Sequence, residues 1–282
     1  PVIRDSKNKA GDIEPPRVAI RSSLAENKIL LIADPGYVQR IKAAARNEAE
    51  LAAWIDGSWD ITCGGMLDDL WDRNIHIIED IPFLEFAKAR WTLNRAYDHG
   101  QSRPFSVGWF AESNGIPMEW NGKIYGPIKG DIVLFAEWYG CVHIVDREKE
   151  MGLKGRIKRG PADSQIFARD DGKTSPAGHM KKKRIFWDKC DKSKGSRCIG
   201  WQQIRDYLSG ALGFVDDDGK KVREHAGLFV CERNEDWLRT VPCLPRDDKN
   251  LDDVNTKVED HAGDMTRYRL RWTRKGIRQR NW

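Results

Sequence analysis

Short apolar stretches separated by turn signals predict several β-strands in the middle of the chain. Residues 91–97 mix β-branched and aromatic side chains with polar ones and run into a turn containing Gly, Ser and Pro, so they predict a strand that ends on Asp98. Residues 105–112 and 132–137 predict further strands, and a shorter one runs through residues 160–161. This part of the chain is therefore predicted to form a β-sheet.

Helical spacing of apolar residues dominates later in the chain. Residues 201–212 place apolar side chains at i, i+4 and i+8, which is typical of an amphipathic helix. Met265, Tyr268 and Trp272 repeat at i, i+3 and i+7 and therefore share one face of a second helix. Other predicted elements are strands at 183–187 and 227–231, helices at 142–151 and 232–240, a Gly- and Asn-rich turn at 114–123 and a hairpin tip at 216–219. This order of strands and helices predicts an α/β fold, a ribonuclease-H-like mixed sheet flanked by helices.

The first 84 residues carry a different pattern. Residues 1–16 are polar with two consecutive prolines, which predicts a flexible leader. Asp34-Pro35-Gly36 then opens a predicted helix from about residue 37 to residue 55. Residues 61–84 read as a helix followed by an edge strand. We therefore expect a small helical linker subdomain at 17–84 before a sheet domain with a basic tail at 85–282.

Aspartates stand at the ends of several predicted elements. Asp98 ends one strand, Asp163 ends another, and Asp264 lies at the start of the last helix, one residue before its apolar stripe. Carboxylates so placed are suited to hold divalent cations. Two Mg²⁺ or Mn²⁺ ions about 3.5–4 Å apart form the site of many nucleases that cleave phosphodiesters. The alternative for Asp98 is that it only begins a hairpin turn.

Positive charge is concentrated in short segments, although the net charge of +5 is modest. Residues 179–205 hold Lys181, Lys182, Lys183, Arg184, Lys189, Lys192, Lys194, Arg197 and Arg205 against Asp188 and Asp191. The tail from residue 267 adds more arginines and no acid. Clustered cations fit a polyanion, because each phosphate contact releases counterions. We expect Lys189, Lys192, Lys194 and Arg197 to contact DNA phosphates; the alternative is an ordinary solvated surface.

The sequence also argues against several classes of protein. Its six cysteines include no CxxC pair and no His at zinc-finger spacing, so a zinc site is not expected. No run approaches 18 apolar residues, and the first residues lack a signal-peptide pattern, so neither secretion nor a membrane partner is expected. The chain lacks the Gly-x-x-x-x-Gly-Lys-Ser/Thr motif, so we expect no ATP site of this kind.

Several further motifs occur in order between roughly residues 85 and 273. They are Arg95-Ala-Tyr-Asp98, Pro104-Phe-Ser-Val-Gly-Trp109, Gly160-Pro-Ala-Asp-Ser164, Thr240-Val-Pro-Cys-Leu-Pro-Arg-Asp247 and Glu259-Asp-His-Ala-Gly-Asp264. Together these motifs resemble the nuclease half of tailed-phage large terminase subunits, the motor proteins that pump viral DNA into capsids and cut it. In one departure, the family often has Trp after the first Asp, where this chain has His99. That residue is a candidate ligand or proton carrier.

The resemblance implies a two-metal endonuclease acting on double-stranded, concatemeric viral DNA. By the same resemblance, Asp98, Asp163 and Asp264 are the metal ligands, with two Mg²⁺ or Mn²⁺ ions. Asp260 shares a helix face with Asp264 and is either a neighbouring ligand or a helix cap. His261 is a candidate for tuning metal-bound water or for protonating the leaving group, and its alternative is a solvent-facing helix residue.

The resemblance also bears on the rest of the protein. Residues 17–60 resemble the last subdomain and linker of the family's ATPase domain. The implied partners are double-stranded DNA, the portal protein and the small terminase subunit, and the implied location is the host cell cytoplasm. After residues 138–140 the family usually carries a longer loop and helix than this chain has. Other functions that fit the residues are a resolvase, recombinase or ribonuclease of the same fold, and a non-catalytic DNA-binding module.

Overall fold

The chain divides into two compact units, Pro1–Gly64 and Gly65–Trp282. The computed structural model describes residues 2–4, 17–19, 23–44, 54–56, 65–100, 105–140, 144–153, 155–168, 174–216 and 218–275. Within these ranges, no helix combines the length and the apolar character needed to cross a membrane.

Among its described residues, the first unit contains a pair of short antiparallel strands and two α-helices of more than one turn, besides three-residue helical segments at 24–26 and 54–56. The strands are β1 (Val2–Arg4) and β2 (Arg17–Ala19), and the helices are α1 (Lys28–Ala33) and α2 (Tyr37–Ala44). Part of the predicted leader thus pairs as a strand. Helix α2 begins where its Pro-Gly signal predicts, and most of the rest of that predicted helix lies outside the described residues.

The second unit is built on a mixed sheet. Its strands are β3 (Ile77–Ile78), β4 (Thr92–Asp98), β5 (Phe105–Glu112), β6 (Met118–Trp120), β7 (Lys123–Tyr125), β8 (Ile132–Gly140), β9 (Gly160–Ala162), β10 (Trp187–Lys189), β11 (Phe214–Val215), β12 (Lys221–Val222) and β13 (Leu228–Cys231). Among the described residues, seven strands form one sheet in the order β10-β9-β4-β5-β8-β13-β3. Within it, β5 runs antiparallel to both neighbours and every other pairing is parallel. This arrangement confirms the predicted ribonuclease-H-like α/β fold.

Helices cover both faces of this sheet. They are α3 (Arg73–His76), α4 (Phe83–Lys88), α5 (Ile144–Glu150), α6 (Pro176–Lys182), α7 (Ser196–Leu212), α8 (Glu235–Thr240) and α9 (His261–Lys275). On β4, Leu93 and Tyr97 join the core that includes α4, whereas Ala96 joins the core that includes α7 and α9. Because strand side chains alternate, Asp98 lies on the same face as Ala96. The sheet therefore directs Asp98 toward α7 and α9.

Residues 65–84 belong to the same compact unit as the sheet, whereas the predicted boundary lies after residue 84. Met66 and Leu67 are fully buried in the core under α7. Strand β3 adds to the sheet edge beside β13, in agreement with the predicted edge strand. The segment around Met66 and Leu67 packs against α7, and β3 pairs with β13, so residues more than 100 positions later in the chain hold residues 65–84 in this unit.

Two predicted elements differ from the structure. The strand predicted at 183–187 begins only at Trp187, as β10. Helix α6, which Ser175 caps at its N-terminus, extends to Lys182, and the chain then turns at Arg184, whose φ is 66°. The turn predicted at 114–123 contains the hairpin β6–β7. Its connection is Asn121-Gly122, with φ values of 48° and 75°. Asn-Gly is the most favourable pair for such a two-residue turn, so this hairpin was detectable in the sequence.

Helix α9 packs closely against the sheet and α7 because glycines leave room for it. A Cβ on Gly108 of β5 would lie 2.5 Å from Met265 Sδ. A Cβ on Gly200 of α7 would lie 3.1 Å from the Cβ of Arg267. The close approach brings the first turn of α9 to the end of β4.

A buried ion pair also fixes α9 on the sheet. Arg269 is fully buried and donates to Glu112 Oε2 on β5 at 2.8 Å and to Asn94 Oδ1 on β4. A buried charge is tolerated only when it is paired and hydrogen-bonded, so the position of this guanidinium is strongly specified. The helix is thereby tied to the same strand that carries Asp98.

Glu137 on β8 gives a prediction about stability. Its Oε1 accepts the backbone N–H groups of Asp236 and Trp237 at 2.8 and 3.1 Å, and burial raises its pKa from 4.5 to about 7. The folded state thus holds this proton more tightly than the unfolded state, and stability falls as pH rises from about 4.5 to about 7. Glu137→Gln should remove this dependence and stabilise the protein at pH 8 by about 2 kcal/mol relative to wild type.

Urea unfolding of both proteins at pH 5 and pH 8 measures the effect. The exposed Glu119 provides the matched control, since Glu119→Gln should follow wild type at both pH values. A Glu137→Gln protein with the pH dependence of wild type would contradict the assignment.

Candidate active site at the carboxyl ends of the central strands

Asp98 and Asp163 leave the sheet side by side. Strands β4 and β9 are parallel with Tyr97 opposite Ala162, and the Asp163 N–H donates to the Tyr97 carbonyl at 2.9 Å. Both aspartates follow the paired residues directly, and each is 4% exposed. Parallel pairing thus places two buried carboxylates side by side at the carboxyl ends of these strands, where the sequence predicts them.

His261, in the first turn of α9, connects this helix to Asp98 at the carboxyl end of β4. Its Nδ1–H donates to Asp98 Oδ2 at 2.7 Å, and this hydrogen bond raises the pKa of His261. The pKa of Asp98 is raised to about 6, mainly by burial and in addition by the Asp264 and Asp163 carboxylates, while the His261 hydrogen bond opposes the shift. Asp98 therefore lies within electrostatic range of both other predicted carboxylates.

Asp163 has a different partner for each oxygen. Its Oδ1 accepts the Gln165 N–H at 2.8 Å and so caps the 3₁₀ helix Ser164–Phe167. Its Oδ2 accepts from Lys192 Nζ at 2.8 Å. One oxygen thus has a structural role, and the other faces a cation that follows strand β10.

Asp264 is held by two arginines. Arg267, one turn later on α9, donates from Nε and Nη2 to the two carboxylate oxygens, each at 2.7 Å. Arg197 Nη1 approaches the same oxygens at 3.1 and 2.9 Å. Burial raises the pKa of Asp264, but the ion pairs with Arg267 and Arg197 outweigh it and hold the pKa below its ordinary value. Asp264 is therefore an ionised and fully hydrogen-bonded carboxylate.

Arg197 also contacts two neighbouring acids. Its Nη2 donates to Asp260 Oδ2 at 2.8 Å and its Nε to Asp253 Oδ1 at 2.6 Å. The Asp260 carbonyl accepts the Asp264 N–H at 2.8 Å, so Asp260 supports the helix start through its backbone, while its side chain serves the ion pair. Burial, together with the Asp264 charge, raises the pKa of Asp260.

The residues predicted to bind DNA fall into two groups. Lys192 and Arg197 are turned toward the carboxylates, because unpaired acids at this edge would be costly to bury. Lys189 and Lys194 are exposed, at the end of β10 and in the loop that follows it.

His99, the other candidate beside Asp98, accepts from the Tyr97 hydroxyl through Nδ1 at 2.8 Å, and burial lowers its pKa.

The donor chemistry of this cluster fits an oxygen-seeking divalent cation. Carboxylate oxygens are the ligands that Mg²⁺ and Mn²⁺ prefer. Burial, and in addition the Asp264 and Asp163 charges, raise the pKa of Asp98, and a bound cation would favour its ionised form. As the side chains stand, no group of three His, Cys, Asp or Glu residues in the described part of the chain has a metal-binding arrangement. Lys192, Arg197 and Arg267 supply the positive charge instead.

Some members of the cluster were not identified from the sequence. Arg267 carries one usable signal, since it lies three residues after Asp264 on a helix and such pairs face each other. Asp253 lies in a loop and is brought to Arg197 only by tertiary packing. No local pattern indicates that contact.

No protein-family model and no curated protein matches the chain. Among solved structures, it is similar to the large terminase from a thermophilic bacteriophage, with 14% identity, a TM-score of 0.47, and coverage of 83% of this chain and 51% of that one. It is also similar to the P22 large terminase nuclease domain, with 12% identity, a TM-score of 0.49, and coverage of 76% and 94%. The chain spans about half the length of the thermophilic phage protein. Both of these solved structures are of large terminases.

Proposed function

We propose that this chain is a divalent-metal-dependent endonuclease that cleaves double-stranded DNA, the nuclease part of a viral DNA-packaging protein. One observation carries the proposal: the buried carboxylates of Asp98 and Asp163 end neighbouring parallel strands, and helix α9, which carries Asp264 in its first turn, is hydrogen-bonded to Asp98 through His261. These residues would hold the metal, which supplies an activated water and stabilises charge at the phosphate when bound. The portal protein, the small terminase subunit and the host cytoplasm belong to the same proposal through the sequence resemblance.

We infer that His261 handles a proton in this reaction. The Asp98 carboxylate orients its ring by accepting from Nδ1 and favours the protonated imidazole. An imidazolium at the edge of a carboxylate cluster is suited to donate a proton to a leaving oxygen. His261 would thus act as the general acid, with Asp98 fixing its orientation.

Exposed lysines beside the site are expected to hold the DNA backbone. Exchange of Lys189 and Lys194 together for Gln should weaken duplex binding equally for all sequences, because phosphate contacts carry no sequence information. The slope of log affinity against log salt should fall by about one for each lost contact.

Fluorescence anisotropy over a range of salt concentrations measures this slope. Exchange of Lys220 and Lys221, exposed on the β11–β12 hairpin, is the matched control with the same loss of charge. An equal slope for both double variants would show that the loop near the site does not contact DNA.

Plasmid nicking by the whole chain with Mn²⁺, and with EDTA as the negative control, tests the proposed function. Nicking that depends on Mn²⁺ is the expected result. Duplex binding without cleavage under any metal condition would indicate a non-catalytic DNA-binding module. Cleavage of four-way junctions or RNA–DNA hybrids in preference to duplex would indicate a resolvase or a ribonuclease.

A further inference from the structure

Arg197, in the first turn of α7, connects acidic residues from two separate segments. Its Nε contacts Asp253, its Nη2 contacts Asp260 and its Nη1 contacts Asp264, at 2.6, 2.8 and 2.9 Å. Every guanidinium nitrogen thus has a carboxylate partner. This arrangement differs from a DNA-binding arginine, whose donors point to solvent.

The contacts of Asp264 limit what else this carboxylate can bind. A carboxylate offers about four lone-pair sites. Arg267 and Arg197 together approach both oxygens, at distances between 2.7 and 3.1 Å. A metal ion can therefore be bound by Asp264 only if one of the two guanidinium groups gives up its contact.

The surroundings indicate which arginine can yield. The Arg267 side chain is 5% exposed, lies 4.5 Å from the Tyr268 ring centroid and packs against Gly200. The Arg197 side chain is 24% exposed. Removing Arg197 from Asp264 requires less repacking, and its charge can move toward solvent.

We propose that Arg197 is a positioning residue that competes with the divalent cation for Asp264. In the metal-free protein its guanidinium pairs with Asp253, Asp260 and Asp264 and, together with Arg267, keeps the last of these ionised and in place. A bound cation and the guanidinium then exclude each other at Asp264, because both are positive and both need the same lone pairs. This inference rests on the proposed function and names the residue that sets metal affinity there.

Competition and a purely structural role predict opposite effects on metal binding. If Arg197 only supports the fold, its loss loosens the carboxylates and weakens metal binding. If it competes, its loss leaves the carboxylates with excess negative charge and strengthens metal binding. The sign of the change in Mn²⁺ affinity therefore separates the two roles.

Isothermal titration of the whole chain with MnCl₂, without DNA, measures this sign. Arg197→Gln should bind Mn²⁺ at least about tenfold more tightly than wild type, a difference of about 1.4 kcal/mol. Its metal-free form should melt at a lower temperature than wild type, and Mn²⁺ should raise its melting temperature more. Arg205, on the same helix, pairs with Asp69 at 2.7 Å, and Arg205→Gln should bind Mn²⁺ as wild type does.

Arg197→Lys keeps the inference testable if the Gln variant does not fold. Lysine retains the charge but is a single point donor that cannot bridge three carboxylates, so its Mn²⁺ affinity should lie between those of wild type and Arg197→Gln. Folded Arg197 variants that bind Mn²⁺ no more tightly than wild type, while wild type nicks plasmid with Mn²⁺, would overturn this inference and leave the proposed function intact. A wild-type protein that neither binds Mn²⁺ nor nicks plasmid would overturn both.

Discussion

Asp98→Ala should lower Mn²⁺-dependent cleavage at least about a thousandfold, equal to a loss of about 4 kcal/mol of transition-state stabilisation. The substitution removes the carboxylate that ends β4, interacts with Asp163 and Asp264, and orients His261. The fold should survive, because the raised pKa of Asp98 shows that its ionised form is disfavoured by burial and by neighbouring charge.

Nicking rates, melting temperature and duplex affinity of the same preparation test this prediction. Asp248, exposed in a loop, gives the matched control, since Asp248→Ala should retain the wild-type rate. A well-folded Asp98→Ala protein that cuts at a near-normal rate would remove Asp98 from the mechanism.

The second large effect concerns Asp264 and its neighbour one turn earlier. Asp264→Asn should eliminate metal-dependent cleavage and destabilise the protein by about 3 kcal/mol, because buried Arg267 loses its charged partner. Asp260→Asn should cost at most about 1 kcal/mol and leave much of the activity, since Arg197 keeps its contacts with Asp253 and Asp264.

Urea unfolding and plasmid nicking of the two variants, which carry the same chemical change four residues apart, make the comparison direct. Reversed losses, with the Asp260 variant inactive and the Asp264 variant active, would place the third ligand one helical turn earlier than proposed.

Local signals were enough to assign each of the three carboxylates to the end of a strand or the start of a helix. The run of β-branched and aromatic residues before Asp98 and the Gly-Pro pair before Asp163 are properties of short segments, and each segment forms a strand in the structure. The order of strands and helices along the chain also predicted a mixed sheet. In the structure β5 runs antiparallel to both of its neighbours, and the other strand pairs are parallel. Periodicity on the last helix placed Asp264 in its first turn.

The electrostatic partners were beyond the reach of sequence patterns. Lys192 and Arg197 belong to a basic stretch that looks like a surface for phosphate, yet 29 residues separate Lys192 from Asp163 and 67 separate Arg197 from Asp264. Which cation satisfies which buried acid depends on how α7 and α9 pack. The sequence shows that these cations are present, but their carboxylate partners can be identified only in the folded structure.

The pairing of Tyr97 with Ala162 has a consequence for how this chain can vary. Since strand side chains alternate between faces, inserting or deleting one residue in β4 or β9 would turn the following carboxylate away from its partner. A substitution within these strands alters only the packing around one side chain. A change in strand length moves the whole carboxylate to the opposite face of the sheet. Relatives that retain the chemistry are therefore expected to align without gaps through both strands, however far the rest of their sequences diverge.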